Sequence, residues 1–392
     1  MTVPERKMRL AVVGAGQLGL YLSQSARDLG INTLVVSPDA DAPALAVADN
    51  SFIADFDAPG LAARIAEEAD FCSFELEDVP LELLQDLEEQ GKKGNLTVNP
   101  APAIMKLVKN KATQKAWLEK NAFPTLRFQT YESPVAQVEN IVKEFGLPFV
   151  QKAQSGGYDG YGVQIIRAES ELEKLWPVPS IIEQYLDAPT ELAVVVARLP
   201  DGEIKAYPPV RATFDTQRNI LDAVIVPSGF DADLDAQATE LAVRLVEALD
   251  GVGVFAVEMF LDENEALLVN EISPRVHNSG HITMLTAAAS QFEQHVRAIC
   301  SLPLVDPGPP KAGAVMRNLL YTDELAFMLE LAEGPVTYAE DKVALYWYGK
   351  REGRQGRKMG HVIVLTDNEN EAGELTRRFI DKLRQQDEGE SA

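Results

Sequence analysis

The sequence predicts a multidomain chain of α/β and α+β class: a doubly wound parallel sheet, then a mixed unit with a glycine-rich loop, then a small β-rich unit. Three observations predict it. Residues 8 to about 100 alternate apolar strands (Leu10 to Val13, Thr33 to Ser37, Asp70 to Phe74) with helical stretches, the pattern of a parallel sheet covered on both faces. Residues 122–190 run strand, helix, strand, glycine loop, strand, helix, strand. At 392 residues the chain exceeds one ordinary core, and Leu304-Val305-Asp306-Pro307-Gly308-Pro309-Pro310 has the composition of a linker.

The expected domains are therefore 1–102, 103–303 with a mobile subdomain over about 122–190, and 304–392. One basic amphipathic helix is expected over 103–120, and helices at Leu234 to Leu249 and Gln291 to Cys300 among long hairpins. A last helix is expected near Glu371 to Gln386, followed by a disordered acidic tail from Asp387 to Ala392.

A formal charge of −24 gives no general basic field, so nucleic acid is not an expected partner, and any local basic cluster becomes informative. The two cysteines, Cys72 and Cys300, sit among apolar neighbours and read as buried thiols rather than a disulfide framework. No run of eighteen apolar residues occurs, so no membrane span is expected. The amino terminus enters its first strand without a cleavage pattern, and a cytoplasmic location is expected.

Seven segments carry the chemistry. Gly14-Ala15-Gly16-Gln17-Leu18-Gly19 follows a strand and opens a helix, with Asp39 twenty residues beyond, as a dinucleotide fingerprint requires. A nicotinamide-dependent oxidoreductase is open on that motif, although doubly wound domains also use such a turn for packing. Glu75, Glu77 and Asp78 stand at the carboxyl end of a strand, where ligands bind in open parallel sheets; a solvated helix N-terminus explains them equally. Lys152 precedes a loop with four glycines in the seven residues Gly156 to Gly162, more than a hairpin needs, which favours phosphate binding. Ile181 to Leu186, with Glu191 beyond, is an apolar strand turning polar and is generic taken alone.

Glu258 and Glu271 lie on the two strands of a predicted hairpin. A turn centred between Glu263 and Asn264 makes them diagonal neighbours on one face, about 7–8 Å apart, close enough to share metal ions. Ser273 to His281 holds Arg275 and His277 on one face of an extended segment, and two of the four histidines of the chain. His295 is expected to be structural. Finally, Lys350, Arg351, Arg354, Arg357 and Lys358 place five basic side chains within nine residues, an anion site by contrast with the rest of the chain; His361 ends this motif.

Together these segments resemble the N5-carboxyaminoimidazole ribonucleotide synthase family of ATP-grasp enzymes, from about residue 9 to 375. The carriers are Gly14 to Gly19, Gly156-Gly157-Tyr158-Asp159-Gly160, Asn270-Glu271, Pro274-Arg275 with His277-Asn278-Ser279-Gly280-His281, Ser290-Gln291-Phe292-Glu293, and Gly356-Arg357-Lys358-Met359-Gly360-His361. The resemblance implies an ATP-grasp fold with a Rossmann-like first domain. It implies carboxylation of 5-aminoimidazole ribonucleotide in purine biosynthesis, using ATP, bicarbonate and Mg²⁺ (Mn²⁺ as the alternative), by a homodimer. It places Lys111, Lys152, Gly157, Tyr158, Asp159, Gly160, Tyr161, Gly162 and Val163 at the nucleotide phosphates. Glu183, Gln184, Tyr185 and Leu186 would form the adenine hinge, Glu191 would bind ribose, and Glu258 and Glu271, with Asn270, would hold the metal. Asp159, Arg275, His277, Lys350 and Arg357 would be catalytic, and Gln17, Glu75, Glu77, Tyr158, Asn278 and Lys358 would bind substrate. The sequence departs from the family pattern at Lys111, Tyr161 and Phe214, where arginine, a basic residue and histidine are usual. The alternatives are another ATP-grasp ligase, such as a formate-dependent glycinamide ribonucleotide transformylase, and a non-catalytic nucleotide-binding protein.

Overall fold

A computed structural model describes residues 7–156, 162–215 and 220–390. The first layer is a five-stranded parallel sheet of β1 (Arg9–Val13), β2 (Asn32–Ser37), β3 (Asn50–Ile53), β4 (Phe71–Phe74) and β5 (Thr97–Val98), in the order β3-β2-β1-β4-β5. Helices α1 (Gln17–Asp28), α2 (Leu61–Glu68) and α3 (Leu81–Lys92) cover it. Leu10 to Val13 are fully buried, as a strand covered on both faces requires. The chain builds outward from β1 to β3 and then crosses to β4, so a crevice opens at the carboxyl ends of β1 and β4.

The expected single helix over 103–120 is two: α4 (Pro102–Lys109) and α5 (Lys111–Lys120). Asn110 breaks it with extended backbone, and its side chain accepts the amides of Ala112 and Thr113, capping α5. That cap sets Lys111 as the first residue of α5.

A small antiparallel sheet follows: β6 (Phe128–Tyr131), β7 (Phe149–Ala153), β8 (Val163–Ile166) and β9 (Ser180–Gln184), in the order β6-β9-β7-β8, backed by α6 (Val138–Phe145). The second helix expected here is only a 3-10 turn over Glu169–Lys174. This unit has its own apolar cluster of Ile141, Phe149, Ile166, Leu175 and Ile182.

The central sheet contains β10 (Thr190–Arg198), β11 (Ile204–Ala206), β12 (Val210–Asp215), β13 (Ile220–Val226), β14 (Gly253–Leu261) and β15 (Leu267–Ser273), packed with α7 (Ala232–Leu249), α8 (Thr283–Thr286) and α9 (Gln291–Ile299). The β-rich segment beyond 304 supplies β16 (Ala314–Leu320), β17 (Val336–Glu340), β18 (Val343–Trp347) and β19 (Lys358–Val364), with α10 (Phe327–Leu331) and α11 (Glu369–Glu390). Its strands continue the central sheet through antiparallel pairing of β13 with β16. Helix α11 runs through Asp387 to Glu390, which corrects the expectation of disorder there: once a helix is formed, each added residue gains one hydrogen bond. No helix among the described residues is long and apolar enough to cross a membrane.

Replacing Asn110 by Ala should lower stability by about 1 kcal/mol, and Asn110→Asp should keep most of it. Urea denaturation of the unliganded variants checks this; an unchanged alanine variant would remove the cap from the account of Lys111.

Candidate active site

At the crevice of the parallel sheet, the amides of the glycine turn are already taken by a side chain of the protein. Glu75, the residue after β4, accepts the amides of Gly16 and Gly19, each at 2.5 Å. Gly14 adopts φ +108°, and a Cβ there would lie 2.1 Å from Glu75 Cγ; one on Gly16 would lie 2.9 Å from Oε1. The glycines therefore admit a carboxylate of the chain, where a dinucleotide would place its pyrophosphate. Desolvation pushes the Glu75 carboxyl above its ordinary range, against the two amides, Arg275 and Lys350.

The acidic pair differs from its expected register. Glu258 and Glu271 are direct cross-strand partners, and a bulge follows, because Met259 pairs with Val269. Asn270 is the extra residue, and the bulge turns its side chain toward Lys152, whose Nζ donates to Asn270 Oδ1 at 2.9 Å. Direct partners have Cβ atoms about 4.5–5.5 Å apart, so the two carboxylates crowd each other more than diagonal ones would. Burial, then Glu271 and Glu191, pushes Glu258 up to about 8. Burial pushes Glu191, on β10, up to about 7. Glu271 stays below its ordinary range: burial opposes this, but Lys111 at 2.6 Å outweighs it.

Glu183, expected at an adenine hinge, is fully buried, so its side chain cannot face a base. It joins Lys115 at 2.8 Å and Lys152 at 2.7 Å. Burial would raise its pKa, yet the two ammonium groups hold it at about 2. Past it, Gln184 gives its amide to Arg127, and Tyr185 and Leu186 leave the ladder half-buried.

A cleft of about 550 Å³ joins these elements. Gln17, Glu75, Glu77, Lys111, Val163, Glu258, Glu271, Arg275, His277, Asn278 and Lys358 line it. Arg275 pairs with Glu77 at 2.7 Å, and His277 Nε2 lies 3.6 Å from Glu258. Both amide atoms of Asn278 are buried without a hydrogen-bond partner among the described residues, so a donor and an acceptor remain to be matched there. Gly162 closes the β7–β8 hairpin by accepting the Ala153 amide. Gly157, Tyr158, Asp159, Gly160 and Tyr161 lie outside the described residues.

Of the basic run, Lys358 lines the cleft, while Lys350 donates to the Lys358 carbonyl at 2.7 Å. Arg357 donates to the Glu352 carbonyl, Arg351 pairs with Asp41, and Arg354 with Glu352. The cluster is thus divided between the cleft and the surface. His361 is fully buried, stacked on Tyr346 at 4.6 Å and bonded to Tyr348, with burial holding its pKa at about 3. His295 is structural as expected, accepting the Val254 amide and bonding Ser73.

The sequence reading missed Lys115, and Tyr348 and Leu221 in the cleft wall. A signal existed for Lys115: it is four residues after Lys111, hence on the same helical face.

Among the described residues, no group of three or more His, Cys, Asp or Glu side chains is arranged as a metal cage. Two carboxylates and an amide suit Mg²⁺ nevertheless, because that ion takes one or two protein carboxylates and completes its shell with phosphates and water.

Three family matches tile the chain: the ribonucleotide synthetase preATP-grasp domain at residues 7–109, the ATP-grasp domain at 116–292, and the phosphoribosylaminoimidazole carboxylase C-terminal domain at 314–375. The N5-carboxyaminoimidazole ribonucleotide synthase of Synechococcus elongatus is 36% identical over 91% of this chain and 89% of its own. That of Bacillus subtilis is 34% identical over 95% of this chain and 96% of its own. The solved N5-carboxyaminoimidazole synthase of Aspergillus clavatus, in complex with ADP and 5-aminoimidazole ribonucleotide, superposes with a TM-score of 0.83 at 28% identity, covering 97% of this chain and 99% of that one.

The acid pair sets a pH dependence. Glu258 and Glu191 bind protons more tightly folded than unfolded, so their contribution to stability is full below about pH 4.5 and is lost as pH rises through about 7 to 8. The melting temperature of the unliganded protein should therefore fall from about pH 6 to about pH 9, and Glu258→Gln should flatten that slope. A slope unchanged in the variant would show that Glu258 is not its source.

Proposed function

This chain belongs to the N5-carboxyaminoimidazole ribonucleotide synthase family, and we infer from that membership the roles of its cleft residues in ATP-dependent carboxylation of 5-aminoimidazole ribonucleotide. The product is N5-carboxyaminoimidazole ribonucleotide, and the setting is purine biosynthesis in the cytoplasm. The observation that carries the assignment is one cleft with a cation-seeking acidic end and an anion-seeking end. Glu258, Glu271 and Lys111 make the first, with Lys152 bonded to the adjoining Asn270, and Arg275, Asn278 and Lys358 belong to the second.

Bicarbonate is a poor electrophile, so its oxygen first takes the γ-phosphoryl group of ATP, releasing ADP. The exocyclic amine of the ribonucleotide then attacks the carbon of carboxyphosphate, or CO₂ released from it. The C–N bond forms, phosphate leaves, and the amine loses a proton. Lys152, held between Asn270 and Glu183, meets the transferred phosphoryl group, a role of positioning and charge stabilisation. Lys111, paired with Glu271, would place its ammonium at a nucleotide phosphate oxygen. Glu258, Glu271 and Asn270 would hold Mg²⁺, which would neutralise phosphate charge. Glu191, beside Glu258, serves the ribose, and the chain beyond Glu183 serves adenine through backbone groups.

At the other end, Arg275 offers a guanidinium to bicarbonate, steadied by Glu77. Asn278 supplies a donor and an acceptor to the substrate, and Lys358, with Lys350 behind it, takes the substrate phosphate. Asp159 accepts a hydrogen bond from the substrate amine, and the loop from Gly157 to Val163 excludes water from the hydrolysable intermediate. The assembly is a homodimer.

ADP release should require 5-aminoimidazole ribonucleotide and bicarbonate together; release driven instead by formate and glycinamide ribonucleotide would transfer the chain to a different ligase reaction. Glu271→Gln should reduce ADP formation by at least roughly 100-fold with unchanged circular dichroism, and normal turnover would sink its metal assignment. Lys358→Gln should raise the ribonucleotide KM by roughly tenfold while leaving the ATP KM unchanged, and the reverse pattern would move Lys358 to the nucleotide end.

A further inference from the structure

Lys115 is a buried cation that this reaction scheme does not use. It lies on α5 with 2% exposure, and Glu183 has none. Its ammonium donates to acceptors from three places: Glu183 Oε1 on β9 at 2.8 Å, Thr125 Oγ1 at 2.8 Å and the Val269 carbonyl on β15 at 3.3 Å. An ammonium has three protons, so its donor capacity is full.

Each acceptor leads to the nucleotide end of the cleft. The second oxygen of Glu183 holds Lys152 at 2.7 Å. Val269 directly precedes the bulged Asn270, which accepts from Lys152. Thr125 bridges to Val269 where the chain enters the small sheet, and its hydroxyl donates to the same carbonyl. The ammonium therefore sits at the junction of small and central sheets, tied to both.

Core stability alone does not call for this arrangement. An apolar side chain of similar length in place of a buried ion pair is often neutral or stabilising. What an apolar side chain cannot do is share a carboxylate. With Lys115 present, Glu183 divides its charge between two lysines, and Lys152 keeps its hydrogen bond to Asn270. Without it, Glu183 would be a fully buried anion with Lys152 as its sole cation, and would draw that lysine inward.

We propose that Lys115 is a positioning residue for phosphate binding: through Glu183 and the Val269 carbonyl it sets where Lys152 and Asn270 point. The proposal rests on the reading that Lys152 and Asn270 serve the nucleotide, so the test includes Lys152 itself. In steady-state kinetics, Lys115→Met should raise the ATP KM roughly 10–100-fold, as loss of a supporting partner does, with the ribonucleotide KM within about twofold of the parent. A purely structural role predicts a lower melting temperature with an unchanged ATP KM in the folded enzyme, and that result overturns the proposal. Should Lys115→Met fail to fold, Thr125→Val carries the test, since it removes one acceptor and leaves the ion pairs. A raised ATP KM there supports the proposal, and an unchanged one overturns it. An unchanged ATP KM in Lys152→Met would instead overturn the nucleotide-site reading. A raised value in Lys152→Met beside an unchanged one in Lys115→Met would overturn this proposal alone.

Discussion

Two half-buried glutamates facing each other across the strand ladder at the cleft wall repel, and the architecture of the cleft is organised around that repulsion. Glu258 and Glu271 cannot both be ionised cheaply in such a place. The chain answers on one side only. Lys111, delivered by the helix break at Asn110, pairs with Glu271, while Glu258 has His277 at 3.6 Å and a pKa pushed up to about 8. A pair of carboxylates with only one fixed cation between them favours a further positive charge.

The same logic runs through the rest of the molecule. A chain with a net charge of −24 repels anionic substrates at long range, yet its cleft holds Lys111, Arg275 and Lys358. Each is paired or backed by protein groups, Lys111 by Glu271, Arg275 by Glu77 and Lys358 by its neighbour Lys350 through the backbone. Such pairing fixes direction as well as charge, which a ligand with planar or bidentate groups exploits. The glycine turn of the first domain follows the opposite course. Its amides meet an internal anion, Glu75, so a motif shared with dinucleotide enzymes here braces the wall of the cleft.

Much of this was legible before any coordinates. Strand and helix periodicity marked β1, β2 and β4 of the first sheet, the strands of the glycine-loop unit and α7 within a few residues, because burial on one face imposes a repeat on the sequence, while β3 and β5 went unmarked. Other features left no periodic trace. The register of β14 and β15 is offset by two residues from the expected one: the turn centres on Asn264, pairing Leu261 with Leu267, and the bulge at Asn270 adds the second, so diagonal neighbours become direct partners. The break at Asn110 depends on a side chain capping two amides, a local alternative that a basic amphipathic pattern does not exclude. Glu183, expected within an adenine hinge, is a buried anion, because its partners lie 68 residues upstream (Lys115) and 31 upstream (Lys152).

The sequence by itself determined the fold class, the family and the types of side chain available, since periodicity, glycine spacing and motif order are properties of a one-dimensional string. Only the tertiary structure decided which charges meet. Glu75 turning into the glycine amides, Lys115 sharing Glu183 with Lys152, and His361 lying in an aromatic core all depend on contacts between distant segments. Electrostatic energy varies with separation and with the water excluded around a pair, and neither quantity exists until the chain is packed.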